Sequence, residues 1–249
     1  MNIDLDAFYS NAPIAEWQRV IGKEMHYHFG FFRGHEDLQT GVRRAVQNLY
    51  PHIPCGARVL DIGCGWGGPA NLLICERGCT VKGLTIASAQ VAYCHKLGLD
   101  VERRDIERDA LPTGYDVALL LEVLEHVRDK ATLLRRLRQC ARRLVIAVNC
   151  LYEGAIHRDM FGQSVALCTV QELCSALQET GWAIVYTRQR RFESLRTLSC
   201  WKNNLDHLYG TAEPPGQLGA LRAFVAHALH RPITWALANP LVDVVADHR

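Results

Sequence analysis

From Arg58 onward, short apolar runs alternate with stretches whose apolar positions recur at helical spacing. Arg58-Val-Leu-Asp-Ile62 reads as a first strand. The spacing then predicts a helix over 69–77, with Pro69 in its first turn and Gly78 just past its end. Thr80–Ile86 is a second strand, Ser88 can cap the next helix, and Gly98 stops it. Leu99–Arg103 gives a third strand. Tyr115–Leu121 gives a fourth, apolar along its length as a strand covered on both faces should be. Leu133, Leu134, Leu137, Cys140 and Ala141 form a helical stripe, and Leu144–Val148 is a fifth strand. Thr169 and Glu172 are spaced as a capping box. The helix they open stops at Gly181, and Trp182–Thr187 is a sixth strand. Leu221, Phe224, Val225, Ala228 and Leu229 mark a late amphipathic helix, and Val242–Ala246 a last edge strand. Strands joined by helices imply right-handed crossovers and an open, mostly parallel α/β sheet.

Residues 1–57 carry no strand pattern, but they hold the aromatic cluster Met25-His-Tyr-His-Phe-Gly-Phe-Phe32. The chain therefore divides into an N-terminal helical lid (1–57), a core (58–189) and a C-terminal helical insertion with a last strand (190–249). Composition leaves this picture intact: 249 residues, 49% hydrophobic and 22% charged, are a globular balance. A net charge of +2 gives no electrostatic case for nucleic acid. No apolar run is long enough to cross a bilayer, and the N-terminus lacks the basic-then-apolar order of a signal peptide. The ten cysteines sit mostly in apolar periodic segments without a Cys-x-x-Cys, which suits a reduced, cytoplasmic protein. His26-x-His28 is the only close histidine pair, with no further metal-ligand spacing, so no metal is expected.

The first strand ends in Asp61-Ile-Gly63-Cys-Gly65-Trp-Gly67-Gly68. Glycines there let the backbone turn tightly and approach a ligand. A dinucleotide motif, Gly63-x-Gly65-x-x-Gly68, can be drawn, but the second strand ends Lys82-Gly83-Leu84-Thr85 without the acid that would bind a ribose. Asp61 beside the loop would repel a pyrophosphate and suits a ligand bearing an ammonium group.

Val59–Gly68 resembles the first motif of class I S-adenosylmethionine-dependent methyltransferases, which implies a Rossmann-like, doubly wound, seven-stranded and mostly parallel sheet with helices on both faces. Gly83-Leu-Thr-Ile-Ala-Ser-Ala-Gln90, Glu122-Val-Leu-Glu-His-Val127 and Leu195-Arg-Thr-Leu-x-x-Trp201 resemble segments of the cyclopropane-fatty-acid-synthase-like branch. The resemblance implies S-adenosylmethionine as cofactor, with S-adenosylhomocysteine as product. By that resemblance the cofactor meets Tyr27, Asp61, Gly63, Cys64, Gly65, Thr85, Ile86, Gln90, Asp105, Ile106 and Glu122, Asp105 taking the adenine amine. Cyclopropane-forming members hold a bicarbonate through four residues, of which only Glu125 survives here. Phe29 and Ser194 stand where a Cys and a Tyr would, and the fifth strand has no His.

A small-molecule N-, C- or O-methylation, of a kind found in specialised metabolism, is therefore the expectation. Another alkyl transfer or cyclisation from the same cofactor, lipid cyclopropanation and a non-catalytic binding protein are its rivals. Glu125, His126, Tyr27 and His28 are the candidate catalytic residues. His126 suits general-base work or a structural imidazole, and Glu125 suits a cationic acceptor or a helix cap. Tyr27 and His28 suit closure over the cofactor or plain packing. Phe29, Asn149, Tyr152 and Trp201, with His157, are candidates to line the acceptor pocket. The apolar Ile233–Ala238 stretch leaves monomer and homodimer both open.

Overall fold

The computed structural model describes residues 5–152, 159–160, 163–164 and 166–248. Three helices, α1 (Leu5–Ser10), α2 (Ile14–Ile21) and α3 (Leu38–Gln47), precede β1 (Arg58–Ile62). Then follow α4 (Gly68–Arg77), β2 (Thr80–Thr85), α5 (Ser88–Lys96), β3 (Asp100–Arg103), β4 (Tyr115–Leu121), α6 (Lys130–Cys140) and β5 (Ala141–Asn149). A short hairpin, β6 (Asp159–Met160) with β7 (Gln163–Ser164), stands apart from the main sheet. The chain continues through α7 (Val170–Glu179), β8 (Trp182–Arg190), α8 (Glu193–Tyr209), α9 (Gly216–His230), α10 (Pro232–Ala238) and β9 (Leu241–His248).

The main sheet has seven strands in the order β3-β2-β1-β4-β5-β9-β8. All neighbours are parallel except β9, which runs antiparallel to both β5 and β8. The expected doubly wound architecture is therefore present. Strand order reverses between β1 and β4, and the crevice outside their carboxyl ends is where such sheets bind ligands.

Apolar side chains alternate to the two faces. Leu60, Ile62, Leu120 and Ile146 pack with α6 and α7, while Val59, Leu119, Val145 and Val245 pack on the α4 side. A separate cluster joins Trp17, Ile21, Met25 and Phe29 from before β1 to Trp201, Leu205, Leu221 and Trp235 from α8–α10. The two ends of the chain thus share one core above the crevice. No helix among the described residues is long and apolar enough to cross a membrane.

Three local expectations need correction. Ser88 does not cap α5; it is the first helical residue, and its N–H and hydroxyl donate to the Asp6 carboxylate of α1 at 2.7 and 2.8 Å. A side chain distant in sequence does the capping. Ala141 is not helical, because α6 passes directly into β5 at that residue. The last strand is not an edge. Buried from Leu241 to Ala246, β9 sits between β5 and β8, which explains its nearly unbroken apolar run. The capping box at Thr169 and Glu172 forms as the spacing predicts.

Candidate active site

The ends of β1, β2, β4 and β5, with the loop after β3, line a cavity of about 200 Å³ at the switch point. On the β1 side, Gly63 (φ +68°) and Gly65 (φ +55°) are left-handed, a conformation that disfavours side chains. A Cβ on Gly63 would also stand 2.4 Å from Val123. Cys64 sits between them as a buried spacer, its sulfur filling the space that Gly83 leaves open: a Cβ on Gly83 would approach it to 2.7 Å. Asp61 is 2% exposed, and its Oδ2 has no hydrogen-bond partner among the described residues. Burial pushes its carboxyl up to about 7.

After β2, the Thr85 hydroxyl donates to Gln90 Oε1 at 2.5 Å and accepts from the Ala87 N–H at 3.3 Å. That arrangement turns the Gln90 amide nitrogen away from Thr85. Ile86 and Ile106 add apolar wall. Asp105 lines the far end, where its Oδ1 accepts the Glu107 N–H at 3.0 Å.

After β4, Glu122 adopts φ +55°. Met25 (φ +56°) is the one other non-glycine residue in that region of backbone space among the described residues, and both line the cavity. Such conformations cost energy and gather at functional sites. Glu122 Oε1 accepts the Phe29 N–H at 2.6 Å. Burial, with Glu125 nearby, pushes its carboxyl up to about 8.

The segment before β1 closes the top. Tyr27 packs edge-on to Trp17 and lies 5.6 Å from Trp201, while Phe29 stacks on Trp201 at 5.7 Å. The Gly30 N–H donates to Thr197 Oγ1 of α8 at 2.9 Å. The Tyr27 hydroxyl is buried without a partner among the described residues. His28 lies 3.1 Å from His26, nitrogen to nitrogen, and burial pushes it down to about 4.

Sixteen predicted residues thus meet at one cavity: Tyr27, His28, Phe29, Asp61, Gly63, Cys64, Gly65, Thr85, Ile86, Gln90, Asp105, Ile106, Glu122, His126, Asn149 and Trp201. Two do not. Glu125 stands behind the wall, its Oε1 accepting from Asn149 Nδ2 at 2.7 Å. Tyr152 is 55% exposed under the Arg191 guanidinium. His157 lies outside the described residues. His126 lines the cavity, but burial pushes it down to about 4, so it is neutral at pH 7 and takes up a proton poorly. Sequence reasoning missed Tyr9, Trp66 and Gln217. Trp66 lies inside the glycine motif and could have been included. Tyr9 and Gln217 come from helices that the sheet pattern does not place.

The comparisons with known proteins agree with this geometry. A family model described as methionine biosynthesis protein MetW matches residues 43–153. A ubiquinone biosynthesis O-methyltransferase of Pseudomonas entomophila is 43% identical over 88 residues, which are 32% of this chain and 38% of that protein. The chain therefore spans under two fifths of the curated relatives it matches. A cyclopropane synthase from Mycobacterium tuberculosis superposes with a TM-score of 0.78 at 16% identity, over 98% of this chain and 97% of the other. This is the class I methyltransferase fold. A coclaurine N-methyltransferase, solved with N-methylheliamine and S-adenosylhomocysteine, superposes at 0.76 and 18% identity, over 94% of this chain and 80% of the other. Among solved structures, the class I methyltransferase fold thus hosts both N-methylation and ring formation, so the acceptor chemistry has to be argued from the site.

Proposed function

We propose that the chain is an S-adenosylmethionine-dependent methyltransferase acting on a small-molecule acceptor. The observation that carries this reading is Asp61, a buried carboxylate with an unpartnered oxygen beside the left-handed Gly63 and Gly65. That donor set fits the cofactor. Asp61 is placed for an ammonium group, Gly63–Gly65 offer bare backbone, and Thr85, Gln90 and Asp105 offer polar groups for a nucleoside.

When bound, S-adenosylmethionine supplies a methyl group on a positively charged sulfur. The protein's work is then alignment and exclusion of water, from which roughly 7–11 kcal/mol is available in favourable cases. Tyr27, Phe29 and Trp201 exclude water from the top of the cavity, and the segment 1–57 acts as the lid. Among the wall residues Glu122 is best matched to hold an acceptor's proton near neutral pH, since its carboxyl lies at about 8. His126 and His28 stay neutral at pH 7, and His28 Nδ1 donates to the Phe29 carbonyl at 3.2 Å. By the resemblance to cyclopropane-forming enzymes, Glu125 matches one of four bicarbonate-holding positions, and Phe29, Ser194 and a histidine-free β5 depart from the others, so cyclopropanation is not favoured.

Mass spectrometry of the nucleoside product after incubation with S-adenosylmethionine and a metabolite extract tests the reaction class. S-adenosylhomocysteine is expected. Methylthioadenosine would mean cyclisation of the cofactor's own chain, and no turnover with tight binding would mean a non-catalytic protein.

A further inference from the structure

Asn149 is the last residue of β5 and is 3% exposed, yet it lines the cavity. The two ends of its amide are told apart by Glu125. Glu125 Oε1 accepts from Asn149 Nδ2 at 2.7 Å and, more weakly, from the Asn149 backbone N–H at 3.4 Å. Because the Asn149 backbone N–H donates to the same Oε1, that oxygen is an acceptor in either protonation state of Glu125 and would repel an amide carbonyl, so the nitrogen is committed to it. The carbonyl Oδ1 is left over, buried, with no partner among the described residues. Leaving a buried acceptor unpaired is costly, and a ligand's donor would recover that cost.

The rest of the wall has the same polarity. Gln217 Oε1, on α9, is a second buried oxygen without a partner among the described residues. Asp61, Asp105, Glu107 and Glu122 bring carboxylates to the lining, whereas Arg104 is already bonded to Glu102 and to the Ala110 carbonyl. The aromatic residues Phe29, Tyr27 and Trp201 complete the lining, and aromatic rings attract organic cations. Among the described lining residues an anionic acceptor would meet carboxyl groups and no unbonded cation. A neutral alcohol could reach Asn149 but would gain nothing from the carboxylates or the rings.

We propose that Asn149 is the specificity-determining residue for the acceptor, that the acceptor is an amine whose N–H meets Asn149 Oδ1, and that Glu125 is the positioning residue that fixes the amide in that orientation. This rests on the methyltransferase reading and adds the substrate class to it.

Calorimetry on the full chain tests it, with S-adenosylhomocysteine titrated first and matched probes second. Phenethylamine is compared with 2-phenylethanol and phenylacetate, and tryptamine with tryptophol and indole-3-acetate. At least one amine is expected to bind tenfold or more tightly than its alcohol and its acid. Asn149→Leu should abolish that preference while S-adenosylhomocysteine affinity stays within about twofold. Glu125→Gln can donate into Asn149 Oδ1 and so turn the amide round; it should erase or invert the preference without loss of cofactor affinity, which a merely structural role would not do. Equal binding of amine, alcohol and acid, or an unchanged preference in both variants, overturns the proposal alone. If the wild-type protein takes up no S-adenosylhomocysteine, the methyltransferase reading falls and this proposal falls with it.

Discussion

The backbone N–H of Phe29 donates to Glu122 Oε1 over 2.6 Å, bridging 93 positions of sequence. One partner precedes the first strand and the other follows the fourth, so this bond ties the aromatic segment to the sheet. A buried bond of this kind to a largely neutral carboxyl contributes about 0.5–1.5 kcal/mol. Glu122→Ala should loosen residues 26–30, seen as faster amide hydrogen exchange there, and weaken S-adenosylhomocysteine binding by roughly tenfold. Glu122→Gln keeps an accepting oxygen and should retain slow exchange in that segment. Equal exchange in wild type and Glu122→Ala would show that the aromatic packing holds the segment unaided.

The buried ionisable groups set the pH response of the ligand-free protein. Asp61, Glu122 and Glu125 are raised to about 7, 8 and 7 by burial, so their contribution to stability is present at low pH and is lost as pH rises through those values. His28 and His126 are lowered to about 4, so theirs is present above the unfolded value and is lost as pH falls. Below about pH 6.5 the two trends oppose each other; above it only the carboxylates remain. The melting temperature should therefore change little between pH 5 and 6.5 and fall between pH 6.5 and 8.5. A loss of about 2 kcal/mol corresponds to roughly 4–8 °C for a chain of this size. Asp61→Asn should reduce that fall. A melting temperature that rises across the upper window would contradict the burial of these groups.

Arg190 and Asp243 form an ion pair at 2.7 Å between β8 and β9, with both side chains buried. Removing one partner strands a charge in the core, at a cost of about 3–5 kcal/mol. Asp243→Ala should show this in urea unfolding. The double variant Asp243→Ala with Arg190→Met should recover most of it. Additive losses would mean the pair contributes nothing as a pair.

The sheet was legible because its signals are local. Apolar runs such as Val117–Leu121 and stops such as Gly78 and Gly181 reflect burial and backbone freedom at single positions. Strand order is not local: the apolar run of β9 reads the same at an edge or between β5 and β8. Caps can also come from afar, as Asp6 does for Ser88. At the site, the β1 loop was readable because Asp61, Gly63 and Gly65 adjoin in sequence. Glu125 was assigned to the wall from its place after β4, but the one-turn helix at Leu124–His126 takes it behind Asn149. Gln217 carries no motif, and only the packing of α9 over the crevice brings it there.

Titration of S-adenosylmethionine into the full chain, beside NADH and into Asp61→Asn, tests the central claim most directly. The account predicts saturable binding of S-adenosylmethionine, no heat with NADH, and affinity at least tenfold weaker in a folded Asp61→Asn variant. Binding of NADH in place of S-adenosylmethionine, or an Asp61→Asn affinity equal to wild type, would contradict it.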